Sequence, residues 1–370
     1  MIGKVEHGAV KGRVVSVDAL RGFDMFWIIG GGTIFRELIE AADSEFLNKV
    51  GVQLSHVEWE GFRCWDLIMP LFLFIVGVVM PFSFDKRRAR GDSNRQLYFH
   101  IVKRTVILFF LGMVAQGNLL EYDLSKLHIF CNTLQAIAAG YLIASILMLN
   151  LDLRWQIVTT VGLLLLFWAL MVLIPVPGHG AGVLTPDGNL AIYLDKLILG
   201  PFQDGTTYTW ILSSMTFACT LMLGVMAGHL LRSETSPTAK AVWLVVAGVG
   251  CSALGLLWHN WFPIIKHLWT SSFVLFVGGL SYLLLSLFYL IIDVWGLRKW
   301  AFGFVVIGMN AIAVYMARSV FNFRHIGNIF VGGLARWLGQ WNDFVQLLAA
   351  FAVIWLILYW MYRKKSFVKI

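Results

Sequence analysis

A histidine stands among carboxylates in the segment around residue 60. Glu58 and Glu60 closely follow His56, and Asp66 lies a little further along the chain. A carboxylate that accepts a hydrogen bond from one imidazole nitrogen orients the ring and makes the other nitrogen more basic. The residue types therefore predict a general base, His56, with Glu58, Glu60 or Asp66 as its partner. The alternative interpretation is an ordinary solvated loop histidine.

Three ionisable residues interrupt the first apolar segment. Asp18, Arg21 and Asp24 are three residues apart, so on a helix they lie along one side. Ionisable side chains within a membrane span are costly, and they are usually paired or functional. Two interpretations remain open. Arg21 either forms an ion pair near the membrane interface, or it faces the bundle interior and binds an anionic group.

The elements that must hold these residues are membrane helices. Hydrophobic residues make up 59% of the 370-residue chain and charged residues 14%, whereas an ordinary soluble domain has about 45–50% and about 25%. This composition excludes a soluble globular enzyme, a disordered chain and a secreted disulfide-rich domain. It predicts an all-α, polytopic membrane helix bundle that forms a single domain over residues 1–370. The net charge of +8 does not indicate nucleic-acid binding, because basic residues commonly flank membrane spans.

Apolar stretches of about 20 residues, the length that crosses a bilayer, predict ten spans. The predicted spans are 15–37, 64–84, 98–117, 128–149, 155–174, 208–231, 240–260, 269–292, 300–321 and 343–362. The segment 322–341 is too polar and glycine-rich for a span, and it is predicted to be an interfacial or re-entrant helix.

Most of the 29 lysines and arginines fall on one side of the membrane when the spans alternate in direction. Since basic residues favour the cytoplasmic side, we predict that both termini are cytoplasmic. The two long loops, 34–63 and 175–207, are then extracytoplasmic, and His56 faces outward. Long loops of this kind often carry function.

Several short motifs follow one another along the chain. The most specific are a His-x-x-Trp-x-Gly block that begins at His56 and a Pro-x-Phe-x-Phe-Ile-x-Gly span at Pro70–Gly77, directly preceded by Asp66–Met69. The other segments are Ser16–Gly22, Gly30–Gly32, Leu134–Gln135, Leu268–Val274 and Gly308–Ile312. Together, and over essentially the whole chain, they resemble the heparan-alpha-glucosaminide N-acetyltransferase family and its bacterial relatives.

This resemblance implies a transmembrane acetyltransferase. Such enzymes take acetyl-CoA from the cytoplasm and deliver the acetyl group to an amino sugar of the glucosamine type on the other side of the membrane. The family's active-site histidine corresponds to His56, which acts as the base in direct transfer or carries the acetyl group as an intermediate. A homodimer fits the resemblance, and the short chain predicts a bacterial inner-membrane protein.

Residues for the two substrates follow from side-chain chemistry. Lysine and arginine pair well with phosphate, and a side-chain amide can donate to a thioester oxygen as negative charge develops. The predicted contacts to acetyl-CoA are Asp18, Arg21, Lys103, Arg104, Gln135, Arg298 and Asn310, and those to the acceptor are Gly31, Trp59, Glu60 and Asn189. Catalysis is assigned to His56, Glu58 and Asp66, and no metal site is predicted.

Two other classes of function fit the same sequence. In a membrane transporter, Asp18, Arg21, Asp24 and Asn310 would line a path for a small polar or anionic solute. In a non-catalytic protein, the bundle would bind an acyl donor or a sugar without turnover. A histidine at the extracytoplasmic end of the bundle favours acyl transfer over transport, because a transporter has no obvious need for it.

Overall fold

The computed structural model describes residues 14–368, and within that range the regular structure is helical, with two isolated β-bridges. The α-helices are α1 (Val15–Phe26), α2 (Gly32–Ala42), α3 (Glu45–Gly51), α4 (Ile68–Arg88), α5 (Asn94–Ala115), α6 (Thr133–Asn150), α7 (Leu153–Leu173), α8 (Leu190–Leu199), α9 (Ser214–Arg232), α10 (Pro237–His259), α11 (Ser271–Tyr289), α12 (Phe302–Gly308), α13 (Ala311–Val320), α14 (Phe323–Ala335) and α15 (Asn342–Arg363). The predicted cytoplasmic termini lie outside the described residues.

Eight helical stretches of the described chain are long and apolar enough to cross a membrane. A ninth is added if α12 and α13, which meet at a bend of 71°, count as one broken span. The all-α, polytopic membrane bundle that the composition predicts is therefore confirmed. Eight or nine such stretches are fewer than the ten predicted spans, and the first predicted span is among those that do not appear.

The first predicted span, 15–37, is not one continuous α-helix. α1 passes into a π-helical segment, Trp27–Gly31, in which Gly30 leaves the helical conformation (φ 162°, ψ −23°) before α2 begins. Glycine is a poor helix former, costing about 1 kcal/mol relative to alanine, so three consecutive glycines give the break a physical cause. Gly32 also allows a close approach, since a Cβ there would overlap the ring of Trp65. The break therefore places the helix backbone against the loop that carries His56.

The segment predicted to be an interfacial or re-entrant helix is helical. It forms α14 and a 3₁₀ segment, Arg336–Trp341, and α14 packs back along α15. At Gly327 a Cβ would lie 2.6 Å from the backbone nitrogen of Ala350, so the two helices approach closely. The position of α14 relative to the bilayer stays a prediction.

α4 and α9 approach each other through facing glycines. A Cβ on Gly77 would overlap the carbonyl oxygen of Leu221, and one on Gly224 would overlap that of Phe74. Small residues at a helix interface allow close backbone packing, which is a main source of helix association in membranes. Because α4 begins just after Asp66, this packing holds in place the helix end next to the candidate site.

Substitution at this interface is expected to destabilise the protein. Gly224→Leu forces the two backbones apart, and overpacking of this kind typically costs about 1–3 kcal/mol or more. Gly250→Leu in α10 is the matched control, since a Cβ there meets no atom within 4 Å. We expect the melting temperature in detergent, followed by tryptophan fluorescence, to fall by several degrees for Gly224→Leu alone. Equal melting temperatures in the two variants would contradict this account of the interface.

The loops gather at the two ends of the bundle. At one end, Gly61 N donates to Ile264 O at 2.9 Å, which joins the loop after α3 to the loop after α10. His56 lies at this end. At the opposite end, Ser16 N donates to Asp293 Oδ2 at 3.0 Å, which joins the start of α1 to the segment after α11. The candidate base and the start of the first helix therefore lie at opposite ends.

Candidate active site

His56 and Asp66 form a hydrogen-bonded pair beside the start of α4. His56 Nδ1 lies 2.7 Å from Asp66 Oδ1. The backbone N–H groups of Val57 and Arg63 donate to the other carboxylate oxygen, at 3.4 and 3.0 Å. Because an ionised carboxylate only accepts, the hydrogen bond assigns the imidazole proton to Nδ1 and leaves Nε2 as the basic nitrogen.

Arg63 ties down the loop that carries the imidazole. Its guanidinium donates to Ser55 Oγ at 2.6 Å and to the carbonyl oxygen of His56 at 2.8 Å. The side chain of Asp66 is 0% exposed and that of His56 is 46% exposed. The pair therefore has a buried, fixed carboxylate and an imidazole that a substrate can reach.

A buried lysine completes the cluster. Lys266 Nζ lies 3.1 Å from Asp66 Oδ1 and 3.0 Å from His56 Nδ1, and its side chain is 4% exposed. The ammonium and the Nδ1–H group are both donors, so they share the carboxylate oxygen as their acceptor. Burial lowers the pKa of Lys266, while the charge of Asp66 and its hydrogen bond oppose that shift. The lysine therefore places a positive charge next to the ring and holds the carboxylate in position.

The sequence prediction did not include Lys266, which lies far along the chain from the histidine. It reaches the site because two loops pair: Glu60 and Ile265 form an antiparallel β-bridge. Trp269, which is 1% exposed, anchors the second loop by donating from Nε1 to Thr220 Oγ1 at 3.0 Å. A lone lysine among apolar residues between two spans is the signal that could have identified it.

An aromatic wall stands beside the cluster. The His267 ring stacks on Tyr208, with centroids 4.1 Å apart and an interplanar angle of 18°, and it meets Trp59 edge-on at 5.3 Å. Trp59 Nε1 donates to Leu184 O at 3.0 Å, and His267 Nδ1 lies 2.6 Å from Thr207 Oγ1. Trp59, predicted to contact the acceptor, thus joins the loop 34–63 to the loop 175–207 beside the candidate base.

Acidification is expected to loosen this wall. Burial, together with the nearby charge of Lys266, lowers the pKa of His267 to about 4, against about 6.5 in an unfolded chain. The folded protein holds this ring neutral, so its contribution to stability is fully present above about pH 6.5 and is lost as the pH falls toward 4.

We expect the melting temperature of the wild type to fall between pH 6.5 and pH 4, and to fall less steeply in His267→Phe, which retains an aromatic ring for the stack. His179→Phe is the matched control, because His179 is an exposed loop histidine. An identical pH dependence in the wild type and in His267→Phe would contradict the assignment.

The break in the first helix lies against the other side of the cluster. The centroid of the Trp65 ring, which covers Gly32, is 6.4 Å from that of His56. Gly31, predicted to contact the acceptor, faces another ring instead, because a Cβ there would lie 2.5 Å from the side chain of Phe26. Of the three glycines, Gly32 is therefore the one that packs against the site.

Three other predicted residues lie apart from the basic nitrogen. Glu58 is exposed, and no hydrogen bond or ion pair of the described chain joins it to the imidazole. Glu60 Oε1 lies 3.8 Å from His259 Nε2. Asn189 is 0% exposed and caps α8 by accepting from Ile192 N at 2.8 Å. The structure thus brings Asp66 rather than Glu58 to the histidine, and the acceptor roles of Glu60 and Asn189 stay predictions.

The predicted acetyl-CoA contacts near the start of α1 are engaged with protein groups. Arg21 and Asp18 form an ion pair at 3.5 Å. Asn310, which is 1% exposed, accepts from Val368 N at 3.0 Å and donates to Ser366 O at 3.3 Å. Asn310 therefore fastens the segment after α15 to the bundle.

The remaining predicted donor contacts lie on other elements. Arg298 Nε donates to a backbone carbonyl at 3.3 Å, and the Arg104 guanidinium lies 4.5 Å from the centroid of the Tyr141 ring. Lys103 lines a basic cavity of about 470 Å³ at the start of α5. Gln135 accepts from one backbone amide at 2.8 Å and donates to a backbone carbonyl at 2.5 Å. These residues do not converge on His56, and their roles toward acetyl-CoA stay predictions.

The cluster can perform acid–base or nucleophilic chemistry. Nε2 of His56 has no hydrogen-bond partner within the described residues, so it can accept a proton from a bound nucleophile or attack an acyl group. The buried carboxylate of Asp66 stabilises the positive charge that the ring gains in either case. Across residues 14–368, no group of three or more His, Cys, Asp or Glu side chains is placed to hold a metal ion.

The chain is similar to curated proteins from three organisms. It is 26% identical over 377 aligned residues to the heparan-alpha-glucosaminide N-acetyltransferase of Mus musculus, and 26% identical over 432 to that of Homo sapiens. These matches cover 85% and 98% of this chain but only 56% and 60% of those proteins, so the chain spans less than two thirds of their length. It is also 26% identical over 223 residues to the undecaprenyl-diphosphatase of Myxococcus xanthus (strain DK1622), with 58% of this chain and 68% of that protein covered. No protein-family model matches the chain.

Proposed function

We propose that this chain, a distant member of the heparan-alpha-glucosaminide N-acetyltransferase family, is a membrane acetyltransferase with an amino sugar as acceptor. The observation that carries the proposal is the free Nε2 of His56, whose other nitrogen is held at 2.7 Å by a buried carboxylate. The family relationship supports acetyl transfer, and the geometry supports a base that can serve it.

In direct transfer, His56 acts as a general base. Nε2 takes a proton from the acceptor amine as its nitrogen attacks the carbonyl carbon of the acetyl thioester. The tetrahedral intermediate then collapses, the carbon–sulfur bond breaks, and the CoA thiolate takes the proton from the imidazolium. The N-acetylated sugar and CoA leave with the ring neutral again, so the protons balance.

In the alternative route, the imidazole is the nucleophile. Nε2 attacks the thioester, the carbon–sulfur bond breaks, CoA leaves as the thiolate, and the acetylated ring is positively charged because Nδ1 keeps its proton. The amine then displaces the imidazole from the acetyl group, the proton that the amine nitrogen loses goes to the CoA thiolate, and the ring is neutral again. Asp66 stabilises the charged ring in both routes, because its carboxylate remains buried and hydrogen-bonded beside Nδ1. Both routes require the same free nitrogen.

The donor is acetyl-CoA in this proposal. Its phosphates would lie at the basic, cytoplasmic end, where Arg21, Lys103, Arg104 and Arg298 are the candidate partners. From Arg21 to Gly32, beside the ring of Trp65, the helix rise corresponds to about 17 Å. The CoA molecule would therefore have to extend along the first helix, so that its thioester meets the acceptor at the outer end. A bacterial inner-membrane location and a homodimer belong to the same proposal.

Acetyl transfer by the purified protein tests this proposal. The protein in detergent is mixed with acetyl-CoA and glucosamine, and both free CoA thiol and N-acetylated sugar are measured. N-acetylglucosamine, which has no free amine, is the matched acceptor control. We expect CoA and product in equal amounts with glucosamine, and neither with the control. Failure to acetylate glucosamine or other free amino sugars, by protein that is folded, would overturn the proposal.

A transporter is the second candidate, and one observation favours it. Both carboxylate oxygens of Asp24 in α1 are buried, and neither has a hydrogen-bond partner within the described residues. Embedded carboxylates of this kind are common in solute or proton pathways. A transporter gives no role to the cluster of His56, Asp66 and Lys266, so acyl transfer accounts for more of the structure.

A further inference from the structure

A cavity lies on the other side of the break in the first helix. Its volume is about 440 Å³, within the usual range of small-molecule sites. It is partly open, and it is bounded by the region around Gly30, the end of α13, the start of α14 and one face of α15. Its polar lining residues are Thr33, Arg318, Ser319, Asn322 and Arg324, and the rest of its wall is largely apolar.

The two arginines of this cavity differ in their partners. Arg324 donates to Asp343 Oδ1 at 2.7 Å, which makes an ion pair. For Arg318, no carboxylate within residues 14–368 supplies such a pair, and its charged or titratable neighbours are Tyr315 and a second cation, Arg36. One positive charge in the cavity is therefore balanced by protein and the other is not.

The cavity lies beside α15, a helix of membrane-spanning length. α15 has 22 residues, which corresponds to about 33 Å, the thickness of a hydrocarbon core. The lining residues Leu347 to Ile354 lie about 7 to 18 Å along α15 from its start. Arg318 is exposed beside these residues, and a cation within a membrane span is costly unless an anion or water meets it. Leu347, Phe351 and Ile354 form an apolar wall beside the cation.

We infer that this cavity binds an anionic amphiphile, a lipid whose phosphate pairs with Arg318 and whose hydrocarbon chain lies along α15. Guanidinium and phosphate form two parallel hydrogen bonds, which makes arginine the favoured partner. Asn322 lines the same cavity, and its Nδ2 group can donate a further hydrogen bond, since its Oδ1 accepts from His325 N. The inference does not depend on acetyl transfer, because none of the residues that line the cavity belongs to the His56 cluster.

The phosphate could come from two kinds of lipid with the same chemistry, a membrane phospholipid or a polyprenyl phosphate. Binding is measured by native mass spectrometry and by the shift in melting temperature, with phosphatidylglycerol, a polyprenyl phosphate and zwitterionic phosphatidylcholine as probes. Arg318→Gln removes the charge, and Arg318→Lys retains it for the case in which the first variant does not fold. Arg336→Gln is the matched control, since Arg336 is exposed as Arg318 is but lies outside the cavity lining, in the 3₁₀ segment after α14.

We expect the wild type and Arg336→Gln to retain at least one anionic lipid more than tenfold more tightly than phosphatidylcholine. Arg318→Gln should lose this preference, and Arg318→Lys should keep part of it. Binding of only one of the two anionic lipids would support the site and identify its source. Equal binding of phosphatidylcholine, or unchanged binding by Arg318→Gln, would overturn the inference. Acetyl transfer is not used as a readout, so failure here leaves the proposed function intact.

Discussion

Replacing His56 with alanine is expected to lower kcat for acetyl transfer about 10²- to 10⁴-fold, the usual contribution of a general base. The loss should appear in kcat rather than in KM, because Nε2 acts on the amine as it attacks and not in ground-state binding. The variant should fold as the wild type does, since the His56 side chain is 46% exposed. Steady-state kinetics with acetyl-CoA and glucosamine, together with the melting temperature, measure both effects.

His179→Ala is the matched control for this experiment, because it removes an exposed histidine from another long loop. It should leave kcat unchanged. Asp66→Asn should lose the same activity, since the amide no longer offers an ionised acceptor to Nδ1–H. That loss would show that the reaction needs the hydrogen-bonded pair of His56 and Asp66. A His56→Ala variant with wild-type kcat would remove His56 from the chemistry.

Replacing Lys266 with methionine is expected to move the acidic limb of the rate–pH profile to higher pH. Burial by itself raises the pKa of Asp66, but the hydrogen bond from His56 and the charge of Lys266, whose ammonium lies 3.1 Å from Oδ1, lower that pKa to about 2. Without the ammonium, burial is opposed less strongly, so the carboxyl of Asp66 is protonated at a higher pH. A protonated carboxyl stabilises the imidazolium less well, so the rate is lost at a higher pH than in the wild type.

Lys266→Arg tests whether charge at this position is what matters. It keeps the positive charge, so it should restore the acidic limb toward its wild-type position. Lys196→Met, which removes an exposed lysine in α8, controls for a general change in net charge. Lys266 is a positioning residue in this account, since it acts through the other two side chains. An acidic limb at the same pH in the wild type and Lys266→Met would contradict the account, even if the rate fell.

The helical architecture could be predicted from the sequence because it rests on local patterns. Apolar stretches of span length are visible without any knowledge of neighbours, and most of them are helices in the structure. The pairing of His56 with one of its nearby carboxylates also lies within a single loop. Choosing Asp66 over Glu58 was not possible from spacing alone, since a bend in the loop decides which carboxylate reaches the ring.

What could not be predicted depends on contacts between distant segments. Lys266 joins the cluster through the bridge between Glu60 and Ile265, and no local pattern indicates that pairing. The break at Gly30 is a second case. Three glycines weaken a helix, but the position of the break depends on the packing of the segments on either side of it.

Vectorial acetyl transfer in sealed proteoliposomes tests whether this protein acetylates an amino sugar across the membrane. Glucosamine is enclosed, and isotopically labelled acetyl-CoA is added outside. Residues 86–95, where α4 ends and α5 begins, carry several lysines and arginines, and protease accessibility of this segment identifies the population whose basic end faces outward. We expect labelled N-acetylated sugar inside, free CoA outside, and neither with His56→Ala. Label or amine that crosses the membrane without forming the N-acetylated sugar would contradict this expectation and would instead establish a transporter.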